Sequence, residues 1–378
     1  MSARFSRHRL AALLAKEFVQ VFRDRLTFAM LVGVPVIQIM LFGYAINTDP
    51  HNLPMAVLVE DQSPYARSIV AALEATGYFR ITERYRTERT ASAAMARGAV
   101  QFILRIPPDF SRALLRGEKP GIEVEADATD PVATANAEAA IAHLNQTALR
   151  HDLVGPLAGL VQTAPPFSFI IHNRYNPEGR SQDNVVPGLI ATILTMTLVM
   201  MTSVAMTRER ERGTLENLLA TTARPVEVML GKIAPYVVIG YVQVGVILVF
   251  AELLFAVPFE GSLLTLSLAL IAFIAANLAV GFTFSTLARS QIQAMQMGVF
   301  YFLPSMLLSG FLFPFRGMPE WAQAFGFLLP MTHAIRIVRG VMLKGNGWAE
   351  IWPDIWPLLL FMLAAMAVAL TRYRQTLD

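Results

Sequence analysis

A charged stretch at 206–236, MTRERERGTLENLLATTARPVEVMLGKIAPY, is wedged between two runs, 185–207 and 233–251, that hold no charged residue. Each run is about 20 residues long, which suffices to carry an α-helix across the hydrocarbon core of a bilayer. The stretch between them is therefore a loop at a membrane face. Arg208, Arg210, Arg212, Arg224 and Lys232 place it on the cytoplasmic side, because short cation-rich loops stay inside. Within it, Thr214 can cap a helix with Glu216 and Asn217 in its first turn and Leu215, Leu218 and Leu219 at helical spacing. This predicts a short amphipathic helix below the membrane, shaped to press into a soluble partner. The alternative is a solvated loop whose charges only set topology.

The order of residues in the loop carries more information than its charge. ERERGTLENLLATTARPVEVMLGKIAPY resembles the cytoplasmic signature of ABC-2 type transporter permeases, in which E-R-E-x-G-T-L-E-x-L-L-x-T-P is followed by E-x-(L/M)-x-G-K. Glu209, Arg210, Glu211, Gly213, Thr214, Leu215, Glu216, Leu218, Leu219, Thr221, Glu227, Gly231 and Lys232 fall on that pattern. Thr222 stands where proline is usual, and Pro225 follows three residues later. The resemblance implies a coupling helix that docks on a nucleotide-binding subunit, with Glu209 to Leu219 as the ATPase-coupling residues.

Composition agrees with a membrane protein that has a soluble portion: 54% of the 378 residues are hydrophobic and 16% charged. A formal charge of +3 is too small to suggest nucleic acid, and the absence of cysteine excludes disulfides and thiolate metal sites. No cleavable signal is expected, since the first apolar run starts late and lacks a small-residue cleavage pattern. Residues 1–25 read as a basic amphipathic helix at the cytoplasmic interface, or equally as the basic flank of a first span at 26–48. Residues 49–183 change character, with short apolar strands alternating with helical patterns. Strands are expected at 55–59, 79–85, 99–106 and 122–127, and helices at 65–76, 90–97, 108–116 and, Ala-rich, 131–160. This predicts an inserted extracytoplasmic α/β domain with a mixed sheet.

Further spans are expected at 184–207, 233–257, 262–288, 291–314 and 353–372, with a cytoplasmic loop at 208–232 and a tail at 373–378. The fold class is thus an α-helical polytopic membrane protein of six transmembrane helices, with both termini inside and, by the resemblance, ABC-2 or type V exporter-like. Segment 315–352 is too polar to span and too apolar for an ordinary loop. It is expected to dip into the outer leaflet as a re-entrant hairpin, with Trp321, Trp348 and Trp352 at the interface. Its P-x-T-H and R-G-x-x-L-K-G pieces resemble the same permeases at Pro330, Thr332, His333, Arg339, Gly340, Leu343, Lys344 and Gly345. His333, Arg336, Arg339 and Lys344 are its candidate functional residues. The cations among them have a role of their own, or else pair with lipid headgroups or with Glu320, Glu350 and Asp354.

No G-x-x-x-x-G-K-[ST] loop occurs, so ATP and magnesium are expected to be used by a partner subunit and no cofactor is bound by this chain. Neither a catalytic nor a metal-ligand pattern is present around His51, His143, His151 or His172. Polar groups within apolar runs are the candidates for a translocation path: Glu252 first, with Gln243 and Asn277 as softer ones. The resemblance implies two permease copies, or a pair of paralogues, on two ATPase subunits in a bacterial cytoplasmic membrane. It extends to a multidrug-export subfamily often linked to a periplasmic membrane-fusion adaptor. The expected function is export of a lipophilic or amphipathic compound. Export of a lipid or glycan is the alternative within that class, and a membrane-anchored sensor the alternative outside it.

Overall fold

The computed structural model describes residues 51–154, 165–211 and 225–374. In its first part, the segment LPMAVLV forms strand β1 (Leu53–Val59), buried along nearly its whole length. A strand apolar on both sides is stable only in the middle of a sheet covered on both faces. Leu53, Met55 and Val57 point to one face and pack with Ile69 and Leu73 of α1 (Pro64–Ala75), Phe110 of α3 (Phe110–Leu115) and Ile141 of α4 (Pro131–Thr147). Ala56 and Leu58 point to the other and meet Ala91, Ala94 and Met95 of α2 (Glu88–Ala96).

With β2 (Phe79–Arg84), β3 (Phe102–Ile106), β4 (Gly121–Asp127) and β5 (Ser168–Arg174), the sheet order is β2-β1-β3-β4-β5. Every neighbouring pair is parallel except β3–β4, so the expected mixed sheet is present. Local chemistry sets the helix starts. Ser63 and Asp130 each accept a backbone N–H at the N-cap, and Pro64 and Pro131 follow at the first helical position. Two expectations need correction. The helix expected over 131–160 ends at Thr147, and the turns after it tuck Leu149 and Leu153 into the core. Strand β5 has no counterpart among the expected strands, since as an edge strand it is only partly buried and its apolar signal is weak.

In the membrane part, α5 (Ser181–Glu211), α6 (Pro225–Phe255), α7 (Leu263–Leu287) and α11 (Trp348–Arg374) are each long and apolar enough to cross a bilayer. Helices α9 (Glu320–Leu328) and α10 (Pro330–Lys344) reach that length only together and are bent by 85°. Four candidate spans, or five with the bent pair, therefore lie among the described residues, not the six expected. The expected span at 26–48 and the helix expected within 1–25 lie outside those residues. The span expected at 291–314 is the shorter α8 (Gln291–Leu308), ended by Ser309 and by Gly310 at φ +83°, and diluted by Gln291, Gln293 and Gln296. Helix α6 begins at Pro225 rather than 233, and of the loop expected at 208–232 residues 212–224 lie outside the described residues. Helix α11 begins at Trp348 rather than 353.

Helix α7 is the centre of this bundle: 67% of its apolar window is buried, against 17% for α6 and for α11. It packs on α5, α10 and α11. At Gly281 a Cβ would stand 2.8 Å from the Val199 carbonyl oxygen, so glycine is what lets α7 and α5 approach so closely.

Candidate functional site

Helix α10, PMTHAIRIVRGVMLK, carries all four hairpin candidates. Proline at its first position starts it cleanly, and Gly345 in the left-handed conformation (φ +67°) ends it. A chain bent by 85° leaves the last carbonyls of α9 without helical partners. Thr332 Oγ1 donates to the Gly326 oxygen at 2.6 Å, and His333 Nε2 donates to that of Phe327 at 2.8 Å. The P-x-T-H piece is thus the clasp of the bend. Because Nε2 faces an oxygen that can only accept, it carries a proton. Nδ1 lies 2.7 Å from Asp354 Oδ1 on α11.

Arg336, one turn on, lies 3.6 Å from the same Asp354 oxygen and is sandwiched between the rings of Phe315 and Phe327, at 4.9 and 4.7 Å. The expected pairing of a hairpin cation with Asp354 is therefore present. Among the described residues Arg339 forms no ion pair: Nε donates to the Asn184 carbonyl at the start of α5 and Nη1 to that of Gly310. Its Nη2 is buried with no hydrogen-bond partner among the described residues. Lys344 is ion-paired with Asp127 at the end of β4, with both side chains almost fully buried, and its ammonium lies over the Tyr175 ring.

That ion pair joins the α/β domain to the hairpin, and two further ties accompany it. Asn346 Nδ2 donates to the Ala96 carbonyl at 3.0 Å, and Arg316 Nη2 to that of Gly98 at 3.1 Å. Burial, and then the nearby Arg336 charge, push the Arg316 guanidinium below its ordinary range. Where domain, hairpin and α11 meet there is a cavity of about 150 Å³, lined on the membrane side by Arg316, Arg336 and Arg339 and on the domain side by Gln101 and Asp127. Asp127 and Arg316 are not among the expected site residues. Asp127 lies 217 residues from Lys344, and no local pattern could have paired them.

The path candidates do not converge. Glu252 is exposed near the end of α6, beside an apolar cavity of about 490 Å³ lined by Leu248, Val257 and Met342. Gln243 Oε1 accepts from Thr197 of α5 at 2.9 Å. Asn277 is fully buried in α7, where Nδ2 donates to the Phe273 carbonyl and Oδ1 has no partner. No hydrogen bond or ion pair joins any two of the three among the described residues. Of the residues expected to couple to an ATPase, Glu209, Arg210 and Glu211 form the last turn of α5. The Glu211 carboxylate accepts the Gln291 side-chain and backbone N–H groups, at 2.5 and 2.8 Å, and ties the end of α5 to the start of α8. Those hydrogen bonds, the side-chain one first, hold its carboxyl below the usual range. Gly213, Thr214, Leu215, Glu216, Leu218 and Leu219 lie outside the described residues.

A family model described as ABC-2 family transporter protein matches residues 25–371. The chain belongs to the ABC-2 transporter family. This ABC-2 protein is 29% identical over 369 residues to YbhS of Escherichia coli (strain K12), named a probable multidrug ABC transporter permease, covering 96% of this chain and 95% of that one. It is 27% identical to YbhR of the same organism, which bears the same description, over 89% of this chain and 90% of that one. It is also 29% identical to the inner membrane transport permease YhhJ, over 86% of each. The chain is a permease subunit, and its family implies an ATPase partner subunit.

Proposed function

We propose that this ABC-2 permease exports a lipophilic or amphipathic, drug-like compound across a bacterial inner membrane, as a pair of such subunits on two ATPase subunits. The observation that carries the reading is the continuity of the likeness to YbhS, which runs through membrane part and inserted domain alike over 96% of the chain. In this reading 26–48 and α8 complete six spans with cytoplasmic termini. The α/β domain stands outside, α9 and α10 form a re-entrant hairpin in the outer leaflet, and Glu209 to Leu219 receive the ATPase. Exposed Trp321, Trp348 and Trp352 around the hairpin support an interfacial position. Glu252 beside the apolar cavity supports a lipid-side entry for a compound with a cationic group, with Gln243 and Asn277 further along the path. The outer domain is the surface on which a periplasmic membrane-fusion adaptor would dock.

The test is accumulation of a lipophilic cationic dye in cells stripped of their own exporters, with this chain and its ATPase expressed together. Lower accumulation that Glu216→Lys abolishes supports export. Unchanged accumulation of dyes and of labelled lipid-linked sugars alike contradicts it.

A further inference from the structure

The side chains that line the 150 Å³ cavity carry five cations against four carboxylates, Asp130 among them, so one positive charge is left over. Asp127 is matched by Lys344, and Asp354 is shared by His333 and Arg336. Glu350 accepts the Gly347 N–H. Among the described residues Arg316 and Arg339 donate only to carbonyls, the Asp130 and Asp127 charges reaching Arg339 without an ion pair, and a carbonyl oxygen satisfies an N–H without cancelling the charge behind it. Arg339 Nη2, buried with no hydrogen-bond partner among the described residues, borders the cavity. Buried cations are normally paired, and an orphaned guanidinium N–H is costly to keep from water.

We infer that this cavity is a binding site for an oxyanion, a phosphate or carboxylate group, held by Arg316 and Arg339 with Arg336 at its edge. The planar fork of a guanidinium matches such oxygens two at a time. The volume is well above the roughly 10–15 Å³ that one water needs, so a phosphate group with attendant water has room. A bound anion would also fasten the domain to the hairpin, since Arg316 already donates to the Gly98 carbonyl of the domain and Arg339 to the start of α5. Two sources offer this chemistry, a phospholipid headgroup and dissolved phosphate. The inference concerns binding alone and does not depend on the export reading.

The experiment uses the full chain, delipidated in neutral detergent, and follows its thermal unfolding midpoint during titration with inorganic phosphate, phosphatidylglycerol or, as a phosphate-free control, diacylglycerol. A saturable rise with a phosphate-bearing probe and none with diacylglycerol is expected. Arg316→Gln should weaken the apparent affinity at least tenfold, while Arg316→Lys, which keeps the charge but not the fork, should weaken it less. Response to inorganic phosphate assigns a free-anion site; response to phosphatidylglycerol alone assigns a headgroup site. Should Arg316→Gln fail to fold, native mass spectrometry of the unaltered chain titrated with the same probes replaces it, with one phosphate-bearing molecule per chain expected. No saturable response to either phosphate probe, or an unchanged affinity in folded Arg316→Gln, overturns the inference.

Discussion

Asp127→Asn isolates the charge that joins the α/β domain to the hairpin. The amide keeps an oxygen for the Thr129 N–H and hydroxyl, so the local turn survives, but Lys344 loses its counter-charge. The side chains of Lys344 and Asp127 are only 9% and 6% exposed, so water cannot replace the lost partner. Removing one member of such a pair costs about 3–5 kcal/mol. The Tyr175 ring, 5.2 Å from the ammonium, is present with and without the substitution, so the low end of that range is taken. A net loss of about 3 kcal/mol raises the population with the domain detached by about 100-fold, at 1.4 kcal/mol per tenfold. The chain has no native cysteine, so Gln101→Cys, at the cavity wall, gives a clean reporter. Maleimide labelling of that cysteine should accelerate by one to two orders of magnitude when Asp127→Asn is added. The double change with Lys344→Met should recover most of the protection. Labelling within threefold of the parent in Asp127→Asn would refute the claim that this pair holds the domain down.

Thr332→Val removes one of the two donors to the Gly326 carbonyl, leaving the Leu329 N–H, and should cost about 0.5–1.5 kcal/mol, lowering the unfolding midpoint of the purified chain. An unchanged midpoint would remove the clasp from the account. Burial pushes the Asp61 carboxyl up, but the N–H groups of Ser111 and Ser63, each at 2.7 Å, together outweigh it and hold it below the carboxylate range. The stability this gives is present at neutral pH and is lost as the pH falls through the lowered folded-state value. Asp61→Asn should therefore be less stable than the parent at pH 7 and approach it in acid; an equal gap at both pH values would contradict the assignment. Glu211→Ala should loosen the start of α8, read as faster hydrogen exchange at 291–294, and exchange at the parent rate would show that the tie is not formed.

Much of the domain was legible because its signals are local. The apolar run of β1, the caps Ser63 and Asp130 and the prolines after them each act within a few residues. Strand β5 escaped because an edge strand buries only part of its surface, and the end of α4 escaped because tertiary packing of Leu149 and Leu153 outweighed helix-forming alanines. Span limits shifted for a similar reason. Hydropathy marks where charge begins, whereas α6 continues as a helix back to Pro225, through Glu227 and Lys232. The hairpin residues were visible as a pattern, yet their work was not. His333 and Thr332 close a bend, and Lys344 reaches a carboxylate more than 200 residues away. Such pairings exist only once the chain is folded.

We propose that a separate ATPase, docking on Glu209 to Leu219, drives this permease. Purification of the tagged chain from native membranes in mild detergent, with identification of co-purifying proteins and a vanadate-sensitive ATPase assay, tests it most directly. A stoichiometric P-loop subunit with ATPase activity, lost in Glu216→Lys while the chain remains folded in the membrane, is the predicted result. A chain that purifies alone and without ATPase, under conditions that keep related complexes intact, would contradict it.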